Sequence, residues 1–265
     1  MVRPWYGHWL LSALAAALAI PAAANAAAVT KQVYVTFDGS LAGTAYTLGP
    51  GEVDTTGTFQ SSGSAAVSGG IGDVPGNVSD SSGFYFVGTA LGNLQNQNWI
   101  TEGLLSLDGP VSQQPTTTNW NHFLDVQGDT FFRMNGQSLP KFTQFGYWDG
   151  TNEPTVTTPD LPANQYHHVA LVWDAANSSL EGFINGVSQG TADGDAFDVS
   201  SQNIGYGFFS RFQNRAIDGN YEAVAFSTFT GDFDASNDFQ LPVPEPSACA
   251  LLAIALAGLV GVRKK

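Results

Sequence analysis

The sequence predicts an all-β domain set between two apolar ends, and three observations carry that prediction. From Lys31 onward, short runs of β-branched and aromatic residues alternate with polar ones, the period-2 pattern of half-buried strands. The runs are separated by Gly, Asn and Asp, and several end in Asp-Gly or Asn-Gly, dipeptides that accept the positive φ of tight hairpins. Between the two ends the sequence offers no convincing amphipathic helical stretch, which leaves sheet-on-sheet packing as the architecture.

The strands can be taken in order. Val33, Val35 and Phe37 alternate with Tyr34 and Thr36 and stop at Asp38-Gly39. Residues 44–83 are rich in Gly, Ser and Thr with few large apolar side chains, a composition that predicts long loops with one or two weak edge strands. Phe84 and Phe86 then alternate with Tyr85 and Val87, and further strands are expected at residues 99–107, 122–126, 130–134 and 142–148. The clearest pair runs from Tyr166-His167-His168-Val169-Ala170 through Trp173-Asp174, turns at Ala176-Asn177-Ser178-Ser179, and returns as Leu180-Glu181-Gly182-Phe183-Ile184 before Asn185-Gly186 opens the next hairpin.

The ends are of another kind. Residues 1–26 carry Arg3, an apolar run over 9–20 and Ala24-Asn25-Ala26, the small-x-small form that a signal peptidase reads. They are expected to be a cleaved signal peptide and are set aside from the fold. At the other end, Val243-Pro244-Glu245-Pro246-Ser247 precedes an apolar run over 248–262 and the closing Arg263-Lys264-Lys265. That run is short for a spanning helix, which needs about 20 residues, yet its basic terminus would hold its end in the cytoplasm. Box, apolar run and basic cluster together resemble the PEP-CTERM sorting signal of Gram-negative bacteria. The resemblance implies an exosortase-like processing enzyme as a partner, transient anchoring in the inner membrane through the C-terminal helix, and delivery to the cell surface or extracellular matrix.

Between these ends lie about 215 residues, enough for one large β domain. The expected division is signal peptide 1–26, β domain 27–236, linker 237–242 and sorting signal 243–265. Five of the 9 basic and 22 of the 23 acidic residues lie between the ends, a net charge of about −17 there. Nucleic acid is thereby excluded as a partner, since its binding needs clustered Lys and Arg. Cys249 is the only cysteine and lies in the apolar tail, so neither an internal disulfide nor a thiolate metal site is available.

Several stretches of the body resemble one family. The aromatic-x-His-Val-Ala strand at Tyr166–Ala170, the apolar strand ending at Asn185-Gly186, the Ile-Gly strand at Asn203-Ile204-Gly205-Tyr206 and the strand Gly219-Asn220-Tyr221-Glu222-Ala223-Val224 are similar to the LamG-like, concanavalin A-like lectin/glucanase domains. The likeness implies an antiparallel jelly-roll sandwich, here flanked by an N-terminal signal helix and a C-terminal hydrophobic helix. Tyr166 stands where the family usually has Trp, and Tyr221-Glu222 replaces its Asp-Glu pair.

The same residues offer a few patterns that resemble catalytic ones. Glycosidases of this kind place carboxylates two apart on a strand, where alternation points both into one cleft. Asp193-Gly-Asp195 and Asp232-Phe-Asp234 have the spacing but sit in loop-like sequence. Gly186-Val187-Ser188-Gln189-Gly190 spells a nucleophile elbow, yet that elbow needs a strand turning into a helix, whereas Asn185-Gly186 opens a hairpin. His167 and His168, adjacent in one strand, must point to opposite faces and cannot grip one metal together.

Binding chemistry is left. Asp232-x-Asp234-x-Ser236-x-Asp238 has the alternating oxygens of a calcium loop but lacks the turn glycine and the closing Glu; Asp38 and Asp174 are the calcium candidates that the family likeness implies. Trp120, Tyr147 and Trp148 lie beside polar loop residues and could form a platform for sugar rings, although core packing uses such side chains as well. The expected function is a non-catalytic, lectin-like exported protein that binds or organises extracellular polysaccharide. The alternatives are a structural or adhesive protein with a surface-protein partner and, further off, a glycoside hydrolase.

Overall fold

The structure is a computed structural model and describes residues 27–76, 82–87, 90–114, 120–135, 141–208 and 215–244. The expected signal peptide and the sorting-signal residues Glu245, Pro246, Ser247, Arg263, Lys264 and Lys265, with Cys249, lie outside the described residues. No helix among those described is long and apolar enough to cross a membrane.

Eighteen strands follow one another: β1 (Ala28–Val35), β2 (Ser40–Ala42), β3 (Ala45–Thr47), β4 (Val53–Asp54), β5 (Phe59–Ser62), β6 (Ala66–Ser68), β7 (Ile71–Val74), β8 (Gly83–Val87), β9 (Asn98–Leu107), β10 (Trp120–Val126), β11 (Thr130–Asn135), β12 (Thr143–Tyr147), β13 (Thr155–Thr158), β14 (His167–Asp174), β15 (Ser179–Ile184), β16 (Val187–Asp193), β17 (Asn203–Tyr206) and β18 (Gly219–Thr230). They form two sheets. The first runs β16-β15-β14-β9-β18-β1-β4, with β7 pairing β18 and β6 pairing β7; the second runs β13-β12-β11-β10-β17-β8-β5-β3-β2. The recorded pairings are antiparallel, as an all-β sandwich requires.

Period-2 alternation fills the space between the sheets. Val33 and Val35 of β1, Phe84 and Phe86 of β8, and Trp99 of β9 are all buried in one core. Trp99 and Trp173 stack with ring centroids 6.4 Å apart, and Phe197 meets both edge-on, the geometry that the ring quadrupole favours. Where β15 crosses over the second sheet it carries Gly182, because a Cβ there would come within 2.4 Å of the Phe145 ring. The Asn185-Gly186 hairpin forms as its sequence predicts, with both residues at positive φ (50° and 72°).

Two expectations need correction. Residues 44–83 hold more strands than the one or two expected: five short ones, β3 to β7, lie among their turns, and Tyr46 and Phe59 enter the core beside Phe37 and Phe84. Isolated aromatic anchors are enough to pin strands of three or four residues when neighbouring strands supply the pairing. Glu52 fixes the turn between them, accepting from the backbone N–H groups of Thr36, Asp38 and Gly49 and from the Tyr46 hydroxyl.

The second correction concerns residues 237–242, expected to be a linker. They are packed on the outer face of the first sheet, with Asp238 and Leu241 buried. Phe239 and Leu241 supply apolar contacts that the polar neighbours Asn237, Asp238 and Gln240 obscure in the sequence.

Candidate functional site

β18 ends at Thr230, and the chain turns at Gly231 (φ 93°) to cross the outer face of the first sheet as a strap. That face carries an apolar patch of Ile100, Ala170, Val172, Phe183 and Phe229, onto which Phe233, Ala235 and Phe239 pack. Beside the patch lies a fully buried pair: His168 Nε2 stands 3.0 Å from Glu102 Oε2. The strap completes it, since the Gln240 and Leu241 N–H groups donate to the Glu102 carboxylate at 2.9 and 3.1 Å and Phe239 meets the His168 ring edge-on at 4.6 Å. His167 points the other way, its Nε2 2.9 Å from the Pro162 carbonyl oxygen.

The strap walls a groove made of two adjoining hollows. One, of about 500 Å³, lies over β14 and β15 and is lined by Asn98, Asp174, Asn177, Glu181, Thr191, Asp232 and Phe233, among others. The other, of about 670 Å³, lies between the β15–β16 hairpin and the strap and adds Phe183, Ser188, Asp234 and Asp238. Glu181, Asp232 and Phe233 line both. Glu181 is an outward position of β15 and accepts from the Ser188 hydroxyl. Phe233 is half-buried, its ring held edge-on by Phe183 and Phe239.

The carboxylates of the groove differ in what they already bind. Asp174 closes the turn after β14, accepting from the N–H groups of Ala176 and Asn177 at 2.9 and 3.3 Å. Asp234 does the same for the strap through Ser236 N–H at 2.8 Å and the Asn237 amide at 2.7 Å, bonds that hold its carboxyl below the usual carboxylate range. Asp238 accepts from Asp234 N–H at 2.7 Å. Asp232 is exposed, and its carboxylate makes no hydrogen bond or ion pair with any described residue.

The fold therefore brings Asp174, Asp232 and Asp234 to one groove and leaves Asp38 elsewhere, beside Thr36. Asp174 and Asp234 spend acceptors on turn N–H groups, and no three His, Cys, Asp or Glu side chains among the described residues are arranged to hold a metal ion. The alternating oxygens of residues 232–238 work here as a turn scaffold.

The expected aromatic platform is not assembled. Tyr147 is an inward residue of β12 and wholly buried; its hydroxyl donates to the Ser178 carbonyl at 3.1 Å, and burial, with the charges of Asp149, Asp193 and Asp195, pushes it up to about 12. Trp148 and Trp120 are half-buried at opposite ends of β11, since Trp120 pairs with Asn135 and Tyr147 with Thr130, a separation of about 17 Å. The Trp120 ring is occupied by Arg133, whose guanidinium lies 3.8 Å from it, 3.5 Å from Phe131 and in an ion pair with Glu153 at 2.8 Å.

Ser188 sits on β16, which continues as strand, so the Gly-x-Ser-x-Gly string is no nucleophile elbow. Glu181, Phe233 and Glu102 are the residues that sequence reasoning missed. Period 2 marks Glu181 and Glu102 as outward positions, but nothing local shows what covers them.

Comparison with known proteins agrees with this architecture. Residues 111–233 match the family described as the concanavalin A-like lectin/glucanases superfamily. No curated protein matches the chain by sequence. Among solved structures, the botulinum neurotoxin serotype D binding domain aligns with a TM-score of 0.51 at 10% identity, over 78% of this chain and 50% of that one. A botulinum neurotoxin type C structure, described as entering cells through two ganglioside molecules, aligns at 0.50 and 12% identity, over 76% and 50%. Domain 4 of AbnA, a GH43 extracellular arabinanase from Geobacillus stearothermophilus solved with arabinotriose, aligns at 0.48 and 16%, over 78% and 96%. This chain spans about half the length of the two toxin structures, and identities this low show the fold alone. The antiparallel two-sheet sandwich and the match over residues 111–233 together make this part of the chain similar to the concanavalin A-like lectin/glucanases superfamily.

Proposed function

We propose that this protein is an exported, non-catalytic, lectin-like module that binds or organises extracellular polysaccharide at the surface or in the matrix of a Gram-negative bacterium, sorted by an exosortase-type system acting on its C-terminal signal. The observation that carries the binding part is the groove on the first sheet. It joins a half-buried Phe233 ring with carboxylate, amide and hydroxyl groups, the combination of one apolar face and a few convergent polar atoms that suits a sugar. The lectin-type fold supports the class of ligand, and the terminal sequences support the route; one fold hosts many activities, so the groove bears the weight.

The test is glycan-array binding by the protein, with and without a chelator. Binding to at least one glycan is expected, with Phe233→Ala abolishing it while the melting temperature falls by no more than about 5 °C. Absence of binding to every glycan, or binding untouched by Phe233→Ala, would overturn the reading and favour an adhesive protein with a protein partner.

A further inference from the structure

We infer that the glycan this groove takes carries amino groups, as an aminosugar polymer does, and that uronate polymers are rejected; the inference rests on the carbohydrate-binding reading of the same groove. Its basis is the lining. Both hollows together present Asp174, Glu181, Asp232, Asp234 and Asp238, and no Lys, Arg or His stands among the residues that line them. A uronate seated there would bring its own carboxylate among several others with no counter-charge. A neutral sugar meets acceptors for its hydroxyls, and an ammonium meets acceptors that also carry the complementary charge.

The two carboxylates best placed to receive it are Glu181 and Asp232. Both stand where the hollows meet, together with the Phe233 ring. Among the described residues, nothing donates to the Asp232 carboxylate and only the Ser188 hydroxyl donates to that of Glu181. Asp174, Asp234 and Asp238 are tied to backbone N–H groups and shape the field more than they bind. About 17 net negative charges on the body add a long-range attraction for polycations and a repulsion for polyanions. A second acidic hollow, at Asp149, Glu153, Asp193 and Asp195, lacks an aromatic ring, and its Glu153 is already paired with Arg133. Ring and free carboxylate coincide at the groove.

The experiment is calorimetric titration of the full-length protein in detergent with three hexamers of equal length, of glucosamine, N-acetylglucosamine and galacturonic acid, at low salt and at a pH where the amine is charged. The glucosamine hexamer is expected to bind about tenfold tighter than its N-acetylated counterpart, and the galacturonate hexamer not to bind. Asp232→Asn and Glu181→Gln should each narrow the amine-to-acetyl ratio by about threefold, and about 0.5 M salt should nearly abolish it. Equal binding of amine and acetyl hexamers, binding of the uronate, or a ratio unmoved by both variants overturns the inference and leaves the carbohydrate reading in place. So does binding only to a neutral glycan elsewhere on the array. Binding to no glycan at all overturns the reading beneath it.

Discussion

The outer faces of the two sheets both bury charge, and they close it in opposite ways. On the first sheet the charge is a carboxylate, Glu102, and its donors come from His168 on the next strand and from backbone N–H groups of the strap. On the second sheet it is a guanidinium, Arg133, held between the flat faces of Trp120 and Phe131 and paired with the exposed Glu153. The buried Glu102 carboxylate draws its backbone N–H donors from another stretch of chain. A guanidinium is satisfied by rings and acceptors on the strands beside it. The first face thus depends on a distant segment for its integrity, while the second is largely completed by its own neighbours.

The largest expected effect tests that dependence. Glu102→Ala leaves His168 and two strap N–H groups without their acceptor and should cost about 3–5 kcal/mol, read by denaturant unfolding. Limited proteolysis should then cut within residues 231–244 before it cuts the sheets. Equal protection of the strap in both proteins would break the comparison. Arg133→Met keeps much of the packing against Trp120 and Phe131 and returns Glu153 to water, so a loss of only about 1 kcal/mol is expected; a loss as large as that of Glu102→Ala would show that the second face is equally dependent on its charge.

The smallest effect is in pH. His122, wholly buried on the second sheet opposite Arg133, has its pKa driven well below the ordinary histidine value by burial first and then by the Arg133 and Arg215 charges. A group whose folded pKa lies below its unfolded one favours folding above the unfolded value and loses that contribution as pH falls beneath it. Stability should therefore decline below about pH 6.5, and His122→Gln should flatten that decline in melting curves recorded from pH 7 to 5. Parallel pH profiles for the two proteins would remove His122 from the account.

Much of the fold was legible because it is written locally. Alternation marked the strands at residues 99–107 and 142–148, Asn185-Gly186 marked a hairpin, and adjacency placed His167 and His168 on opposite faces. The same alternation could have turned Tyr147 inward, in step with Phe145. What escaped is pairing at a distance. Trp120 becomes a cation–π partner only once register sets Arg133 beside it, and the groove exists only because a polar-looking segment folds back on Phe239 and Leu241. The short strands of residues 44–83 hang on single aromatic residues that a composition count dilutes.

The bonds that satisfy Glu102 join residues 138 and 139 positions apart in the chain. During synthesis the strand bearing that carboxylate leaves the ribosome long before its donors are made. The first sheet can pair β9 with β14 and then β18, yet its outer face stays open until residues 240 and 241 emerge. Closure of that face therefore waits on the strap, the last of its partners in chain order among the described residues.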